Sequence, residues 1–428
     1  MSRLTVASPL PAAESESAAV PSPGPQRVPP DRSGYRILTL APTPFFGDYG
    51  CHVRILEEMR ALRTLGHAPL LATYPYGRSL PDVPVRRPPR PPGRWHARPG
   101  SSRHKLYLDS LLAFAALPAL LAPRAHLVHG HLHEGAFIGY PLSRLGRVPL
   151  VFDFQGSLTA EMVDHGFLQP SSRWYGAMRR LEAAINRLAD AVVTSTANGA
   201  DLLRRAFGCP ARRITVVPDG VNVALFSPPA PGTPRAARVA RLRAHLGLPP
   251  GARVVVYLGL LAEYQGLSRL LAAAQRVLAA EPDVHFLLLG YPGQERYRAQ
   301  AEALGIGARV HLPGRVPYER APDYLALGHV AVAPKMSASE GNGKVLNYMA
   351  MALPVVAFDT PVTRELLGDL GLYAPLGDAE ALAAGLLEAL RDEPAARARG
   401  AALRARAAAH FSWDRSAAQL DAVYRRLL

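Results

Sequence analysis

The sequence predicts an α/β protein of two tandem Rossmann-like domains, each a doubly wound parallel sheet, which face each other across a cleft. The length of 428 residues is nearly three times a typical domain of about 150 residues. Short apolar runs alternate with longer stretches of helical periodicity, which is typical of repeated β-α-β units. The alternation restarts after a Pro/Gly-rich connection at 227–251, which indicates a second domain of the same kind.

The first domain is predicted over 34–223. Its apolar runs are expected to be buried parallel strands, because such strands are apolar on both faces: Arg36–Ala41, Pro69–Thr73, Leu127–Gly130, Leu150–Asp153, Ala191–Ser195 and Ile214–Val217. Helical periodicity lies between several of them, at Cys51–Leu65, Trp174–Leu188 and Ala197–Phe207.

The second domain is predicted over 224–411. Its expected strands are Arg253–Gly259, His285–Leu289, Val310–Leu312, Val330–Ala333 and Pro354–Phe358. A final helix over about 412–428 is expected to cross back to the first domain. In paired domains of this type, ligands bind at the carboxyl ends of the strands, so the cleft is the expected site.

Residues 1–33 are rich in Pro, Ser and Ala and predict a disordered tail. The tail has no continuous apolar core of a secretory signal, so we expect a cytoplasmic protein. Two cysteines, Cys51 and Cys209, exclude a disulfide scaffold and a Cys-rich zinc module.

The net charge of +15 is uneven, because 34–223 carries 23 basic against 13 acidic residues, net +10. This excess predicts an anionic partner there, such as a phospholipid surface or a phosphorylated acceptor. A coding bias is the alternative, since the chain has 46 Arg and three Lys. Nucleic-acid binding is disfavoured because no aromatic-basic recognition element accompanies the charge.

Two segments interrupt the alternation in the first domain. Residues 78–105 contain seven Pro and eight Arg or Lys with one acid, Asp82, and loops this long are usually functional or disordered. Residues 106–122 are almost wholly apolar but short for a membrane span. We expect them to form a helix that is buried or faces a membrane.

Three segments carry the chemistry. The glycine loop PTPFFGDYGCHVR at 42–54 lies between the first strand and the first helix, whose amino end attracts anions. The segment HGHLHEG at 129–135 follows a strand; it lacks the further ligands of a metal site, so hydrogen bonding to a polar substrate is favoured over metal binding. The third, APKMSASEGNGKVLNYMAMALPVVAFD at 333–359, predicts a polar loop before a helix that begins near Gly343.

In that third segment, the helix amino end can hold a diphosphate. Glu340 can accept hydrogen bonds from sugar hydroxyls, and the glycines let backbone amides approach a sugar. Two of the three lysines, Lys335 and Lys344, flank the loop, where a compact ammonium fits better than a guanidinium; chance clustering is the alternative.

Together these segments resemble the GT-B glycosyltransferases of the large family 4, which are retaining and use nucleotide sugars. The resemblance extends from about Tyr35 to the C-terminus and includes VFDFQGSLTAEM, VVPDGVNVALFSP, VVVYLGLLAEYQGLSRLL and VHLPGRVPYERAPDYLALGHVAVAP in the family's order. The order and spacing are specific to the fold and the family, and much less to the substrate.

The resemblance implies roles for individual residues. His131, the second His of the strand-end H-x-H, is expected to contact the transferred sugar. Glu340 is expected to bind the donor sugar as the principal catalytic-site carboxylate. The expected donor-binding residues are Gly50 by the diphosphate, Gly259, Gln265, Lys335, Gly341, Asn342, Gly343, Lys344, and Asn347 in place of the family's ribose-binding Glu.

The sequence departs from the family pattern at three points. Glu340 and Asn347 are seven residues apart where the family has eight, and the second acid is an amide. The family's diphosphate-binding Arg and Lys correspond to Leu261 and Gln265, and we predict that Lys335 and Lys344 replace them. No Asp-x-Asp pair occurs, so no metal and no cofactor is expected.

The predicted activity is transfer of a hexose from a nucleotide diphosphate sugar, with retention, to an acceptor hydroxyl. The acceptor is expected on the first domain and to be lipid-linked at the inner membrane face or, almost equally, a soluble molecule. Two other functions stay open: a non-catalytic or weakly active relative that binds nucleotide sugar, for which Leu261 and Gln265 argue, and an enzyme like a UDP-sugar epimerase.

Overall fold

The computed structural model describes residues 34–91, 103–122, 124–337 and 339–428. The predicted tail at 1–33 and the middle of the proline-arginine segment lie outside the described residues. Two parallel sheets form the molecule, as predicted, each covered by helices on both faces. The fold class is therefore confirmed.

The first sheet has seven strands in the order β3-β2-β1-β4-β5-β6-β7. All neighbours pair in parallel. The strands are β1 Arg36–Ala41, β2 Ala68–Thr73, β3 Val85–Arg86, β4 Leu127–His131, β5 Leu150–Phe154, β6 Ala191–Thr194 and β7 Ile214–Val216. The helices are α1 Gly50–Thr64, α2 Arg103–Leu121, α3 Leu132–Gly146, α4 Leu158–Asp164, α5 Tyr175–Ile185 and α6 Ala197–Arg205.

The second sheet has six parallel strands in the order β10-β9-β8-β11-β12-β13. The strands are β8 Val254–Leu258, β9 His285–Leu289, β10 Val310–Gly314, β11 Val330–Ala333, β12 Val355–Phe358 and β13 Leu372–Ala374. The helices that follow the crossover are α7 Pro234–His245, α8 Leu267–Ala280, α9 Gln294–Ala303, α10 Ala321–Leu325, α11 Gly343–Ala350, α12 Pro361–Leu367, α13 Ala379–Arg391, α14 Glu393–His410 and α15 Trp413–Leu427.

The strand order places the cleft. In each sheet the order reverses beside the first strand, between β1 and β4 and between β8 and β11. Crevices form at such switch points outside the carboxyl ends of the strands. The loops after β1, β4, β8 and β11 therefore meet in one cleft, and these include the sequence segments predicted to carry the chemistry.

The last helix returns to the first sheet. Trp413, Leu420 and Tyr424 of α15 are buried in one core cluster with Ile37 of β1 and Leu62 of α1. Tyr424 OH also lies 2.8 Å from His129 Nδ1 on β4. The end of the chain thus completes the core of the first sheet.

The apolar segment at 106–122 lies within α2 except for its last residue, and α2 is apolar on two faces. Leu108, Leu112 and Ala116 pack in the first-sheet core. Leu106 and Phe114 face outward with 73% and 76% of their surface exposed. Across the described residues, no helix meets the length and hydropathy that crossing a bilayer requires.

Candidate active site

The cleft between the two sheets has a volume of about 340 Å³ and is lined from both sides. Two helices, α1 from the first sheet and α11 from the second, begin at its walls, and neither has a side-chain N-cap. Uncapped helix amino ends offer free N–H groups and the positive end of the helix dipole to an anion. A diphosphate between them would meet both ends.

Three glycines around the cleft lack a side chain for different physical reasons. A Cβ added to Gly50 would meet no atom within 4 Å, so the first turn of α1 opens into empty cleft. A Cβ on Gly341 would come 3.0 Å from Ser195 Oγ, and on Gly259 it would come 2.7 Å from Lys344 Nζ. Gly341 therefore lets the α11 loop approach the first sheet, and Gly259 leaves room for the lysine.

The structure brings ten of the eleven predicted site residues to the cleft wall: Gly50, Gly259, Gln265, Lys335, Glu340, Gly341, Asn342, Gly343, Lys344 and Asn347. Asn342 is only 4% exposed, and its Oδ1 has no hydrogen-bond partner. A buried amide oxygen without a partner is costly, and a ligand hydroxyl would satisfy it.

The two lysines do different things. Lys335 Nζ lies 2.7 Å from Glu340 Oε2 and donates to Gly341 O, so its charge is used to hold the glutamate and its loop. Lys344 Nζ donates to Gln265 Oε1 at 2.6 Å and lies 4.4 Å from the centre of the Tyr257 ring. Burial, and then the nearby charge of Lys335, hold the pKa of Lys344 well below its usual 10.5. Glu340 raises this pKa only in part, and no carboxylate of the described residues forms an ion pair with Lys344.

The position of the missing arginine needs a correction. Leu261 is 5% exposed and packs in the core of the second sheet, so its side chain is not where a phosphate-binding arginine would be. Leu260 lines the cleft instead, as does Gln265. The sequence alone does not show which of these two adjacent leucines faces the cleft.

His131, the remaining predicted residue, is buried at 1% exposure and is not among the residues that line the cleft. Its Nδ1 lies 2.8 Å from Asp153 Oδ2 at the end of β5. The backbone then turns at Leu132, which has a left-handed φ of 62°, and Leu132 and His133 face the cleft. Non-glycine residues in this conformation concentrate at functional sites.

A buried ion network supports this wall. Arg54 Nη2 lies 2.9 Å from Asp153 Oδ1 and 3.0 Å from Glu58 Oε1, and Nη1 lies 2.6 Å from Asp219 Oδ1 at the cleft. Burial opposes ionisation of Asp153, yet Arg54 and the His131 hydrogen bond hold the pKa of Asp153 well below its usual range. Burial raises the pKa of Glu58 despite Arg54.

The same region contains the one group of the described residues with metal-ligand spacing. Ligand atoms of Glu58, His129 and His131 lie within 4.8 Å of one another. Arg54 already holds the carboxylate of Glu58 at 3.0 Å, so a cation there would meet a guanidinium. The arrangement gives no support for a metal in the reaction.

Sequence analysis missed several residues at the cleft. Lys105 on α2 forms an ion pair with Glu134 on α3, and both line the cleft with Glu161 of α4. Asp48, beside the cleft, accepts from Arg315 Nε at 2.9 Å and from the Tyr318 N–H at 3.0 Å, which links the loops after β1 and β10. These positions lie in loops and first helical turns, where isolated charges are common and carry no recognisable pattern.

Two family models match the chain. Residues 49–220 match the glycosyl transferase 4-like domain, and residues 252–392 match the glycosyl transferases group 1. A D-inositol 3-phosphate glycosyltransferase of Rhodococcus opacus is 31% identical over 70% of this chain and 67% of its own length. A 2-deoxystreptamine N-acetyl-D-glucosaminyltransferase of Streptomyces fradiae is 29% identical over 83% and 86%.

Solved structures show the same fold. Sucrose-phosphate synthase of Thermosynechococcus elongatus superposes with a TM-score of 0.76 at 22% identity, over 92% of this chain and 99% of that one. Anabaena HepE, solved with UDP and glucose, has a TM-score of 0.72 at 18% identity, over 92% and 100%. The chain therefore belongs to the group 1, family 4 glycosyltransferases of GT-B fold and is a glycosyltransferase enzyme.

Proposed function

We propose that this enzyme transfers a hexose from a nucleoside diphosphate sugar to an acceptor hydroxyl with retention of the anomeric configuration. The observation that carries the proposal is the meeting of two uncapped helix amino ends, α1 and α11, with an unneutralised lysine in one cleft. A nucleotide diphosphate supplies the anion that this arrangement lacks. The UDP complex of HepE, a protein of the same fold, supports this choice of ligand.

In this proposal Lys344 is the cation for the leaving diphosphate, and Gln265 positions it. The hydrogen bond to Gln265 Oε1 and the gap above Gly259 keep the ammonium at the cleft wall. Stabilising charge on departing phosphate oxygens is usually a large part of transfer catalysis. Lys335 contributes indirectly, by orienting Glu340.

Glu340 is proposed to bind hydroxyls of the donor sugar. Its Oε2 is paired with Lys335 at 2.7 Å, which favours a carboxylate that accepts hydrogen bonds over one that attacks carbon. The acceptor oxygen then bonds to the anomeric carbon on the face from which the phosphate leaves. The bond from that carbon to the phosphate oxygen breaks, and the acceptor proton passes to the leaving phosphate. No metal or cofactor is required.

We further propose that the enzyme acts at the inner, anionic face of the cell membrane. Leu106 and Phe114 of α2 and Phe137 and Leu145 of α3 are each more than half exposed, on two helices that pack together. Exposed apolar side chains suit a lipid headgroup region, and Arg144 on α3 adds an exposed cation. When the protein is sedimented with anionic vesicles at low salt, it should pellet with the vesicles. A Phe114→Ser, Phe137→Ser double variant should instead stay in the supernatant. Equal amounts of the unmodified and variant proteins in the supernatant would contradict the proposal.

The donor proposal is tested with Glu340→Gln. Turnover with the preferred nucleotide sugar should fall sharply, while the melting temperature and UDP binding stay near those of the unmodified enzyme. Unchanged turnover removes Glu340 from the reaction. The anomeric configuration of the product, read by NMR, tests retention directly.

A further inference from the structure

The wall of the cleft that faces the donor site contains its own charged group. Lys105 of α2, Glu134 of α3 and Glu161 of α4 all line the cleft with Glu340. A Cβ added to Gly156, two residues before α4, would lie 3.0 Å from Glu340 Cγ. The start of α4 is therefore packed against the residue proposed to hold the donor sugar, and this wall is where an acceptor has to lie.

Most charged side chains among the described residues that line the cleft are paired. Lys105 is paired with Glu134, Lys335 with Glu340, and Arg54 is shared by three carboxylates. The Glu161 carboxylate has no hydrogen bond or ion pair with any described residue. Among the described residues, Glu161 is therefore the carboxylate of the first-domain wall that has no ion-pair partner.

The pKa values of Glu161 and of a neighbouring carboxyl group are both raised. Burial, and next the carboxylate of Glu340, raise the pKa of Glu161 to about 7, and Lys105 offsets this only in part. The pKa of Asp164, at the end of α4, is also raised, by burial first. A bound cation would relieve both effects, whereas a bound anion would increase them.

Of the described lysines and arginines of the first domain, two line this wall. Among the described residues of 34–223, Arg54 and Lys105 are the lysine and arginine side chains that line the cleft, and both are already paired with carboxylates. A phosphorylated acceptor would therefore meet no unpaired lysine or arginine among the described residues of this wall. Other described cations of the first domain are exposed, such as Arg144 with 54% of its side chain exposed.

On the donor side of the same cleft, one buried polar atom has no partner. Asn342 is more than nine-tenths buried, lines the same cleft and has an unpartnered Oδ1. Polar atoms of this kind are normally satisfied in the complete complex.

We propose that Lys105, Glu134 and Glu161 form the acceptor subsite and that it takes a polyol bearing a protonated amine, whose ammonium pairs with Glu161. This rests on the proposed transferase function of the same cleft. The Lys105–Glu134 pair offers a donor and an acceptor for the hydroxyls of the polyol. Glu161 thereby determines which acceptors are used, and a lipid anchor or a soluble acceptor would be equally compatible.

The test compares three compounds that share one ring: D-glucosamine, D-glucose and D-glucose 6-phosphate. Acceptor-dependent release of nucleoside diphosphate from the preferred donor should be greatest with glucosamine and least with the phosphate. Glu161→Gln should lower the glucosamine response at least about tenfold, which is the size expected for loss of a charge-assisted contact. Glu388→Gln on α13, where the side chain is 61% exposed, is the matched control and should change nothing.

Equal responses to the three compounds, a preference for the phosphate, or a preference for glucosamine that persists in Glu161→Gln would each overturn the proposal. UDP titration of Glu161→Gln distinguishes a failure of the acceptor-subsite proposal from a failure of the transferase proposal. If Glu161→Gln binds UDP normally, its acceptor result tests the subsite alone, and failure of the unmodified enzyme to bind any nucleotide would refute the transferase proposal instead.

Discussion

Replacement of Lys344 by Met should weaken binding of nucleoside diphosphates strongly without weakening the fold. Lys344 Nζ is held by Gln265 Oε1 at 2.6 Å and has no carboxylate partner among the described residues, so its charge is available to a phosphate. A hydrogen bond to a charged group contributes about 1.5–3 kcal/mol. The loss corresponds to a rise of about 10- to 150-fold in the Kd for the nucleotide.

Isothermal titration calorimetry with UDP in EDTA measures this Kd directly, and thermal unfolding in the absence of nucleotide checks the fold. Lys105→Met is the control for nucleotide binding, because Lys105 is paired with Glu134 across the cleft from the proposed diphosphate site. If the Kd of Lys344→Met lies within about twofold of the unmodified value, a change too small for a lost charged contact, Lys344 is not the diphosphate cation and the reasoning is refuted.

Further predictions concern the pH dependence of stability, the glycine loop and the ion network. Burial, and then Lys335, lower the pKa of Lys344 below 10.5 in the folded protein, so between the two pKa values the unfolded chain binds more protons than the folded one. The unfolding free energy, measured by urea titration, should therefore rise with pH up to 10.5. The Lys344→Met variant should not show this rise. Gly50→Ala should keep the melting temperature, since no atom lies within 4 Å of the new methyl, but cost about 1–3 kcal/mol of UDP binding, measured by calorimetry, by overpacking the ligand. Arg54→Met should cost about 3–5 kcal/mol of unfolding free energy in urea, because Asp153 loses its buried counter-charge; a loss below about 1 kcal/mol would show that the network relaxes.

Most strands could be predicted from the sequence because buried parallel strands are continuous apolar runs. β1, β9 and β11 have the predicted bounds, and the other predicted strands differ by one or two residues. β3 and β13 were missed because neither lies in a longer apolar run, whereas β7, also of three residues, lies in the run Ile214–Val217. Their pairing is decided by neighbouring strands and not by local sequence.

At the site, backbone-determined features were the predictable ones. Glycines before a helix indicate an anion-binding helix end, and the loop at 340–343 was located in this way. Side-chain directions were not predictable: the sequence does not show that Asp153 holds His131 away from the cleft, or that Leu260 faces it in place of Leu261.

Net charge by itself did not show which basic residues reach the cleft, and the predicted anionic partner stays a prediction. The count of arginines over 34–223 contains no information on which of them reach the ligand. Glu161 was missed for the converse reason, since one carboxylate in a seven-residue helix has no distinguishing pattern. Only the tertiary structure shows that the Glu161 carboxylate lines the cleft without an ion-pair partner among the described residues.

The most direct test of the central claim is nucleotide binding to the purified enzyme without metal. UDP, GDP and ADP, each with its sugar conjugates, are titrated in EDTA by calorimetry and thermal shift. One nucleotide series should bind, and at about 100 times its Kd it should add about 2.7 kcal/mol to the unfolding free energy. A well-folded protein that binds none of them, with no heat and no thermal shift, would contradict the assignment of this cleft as a donor site.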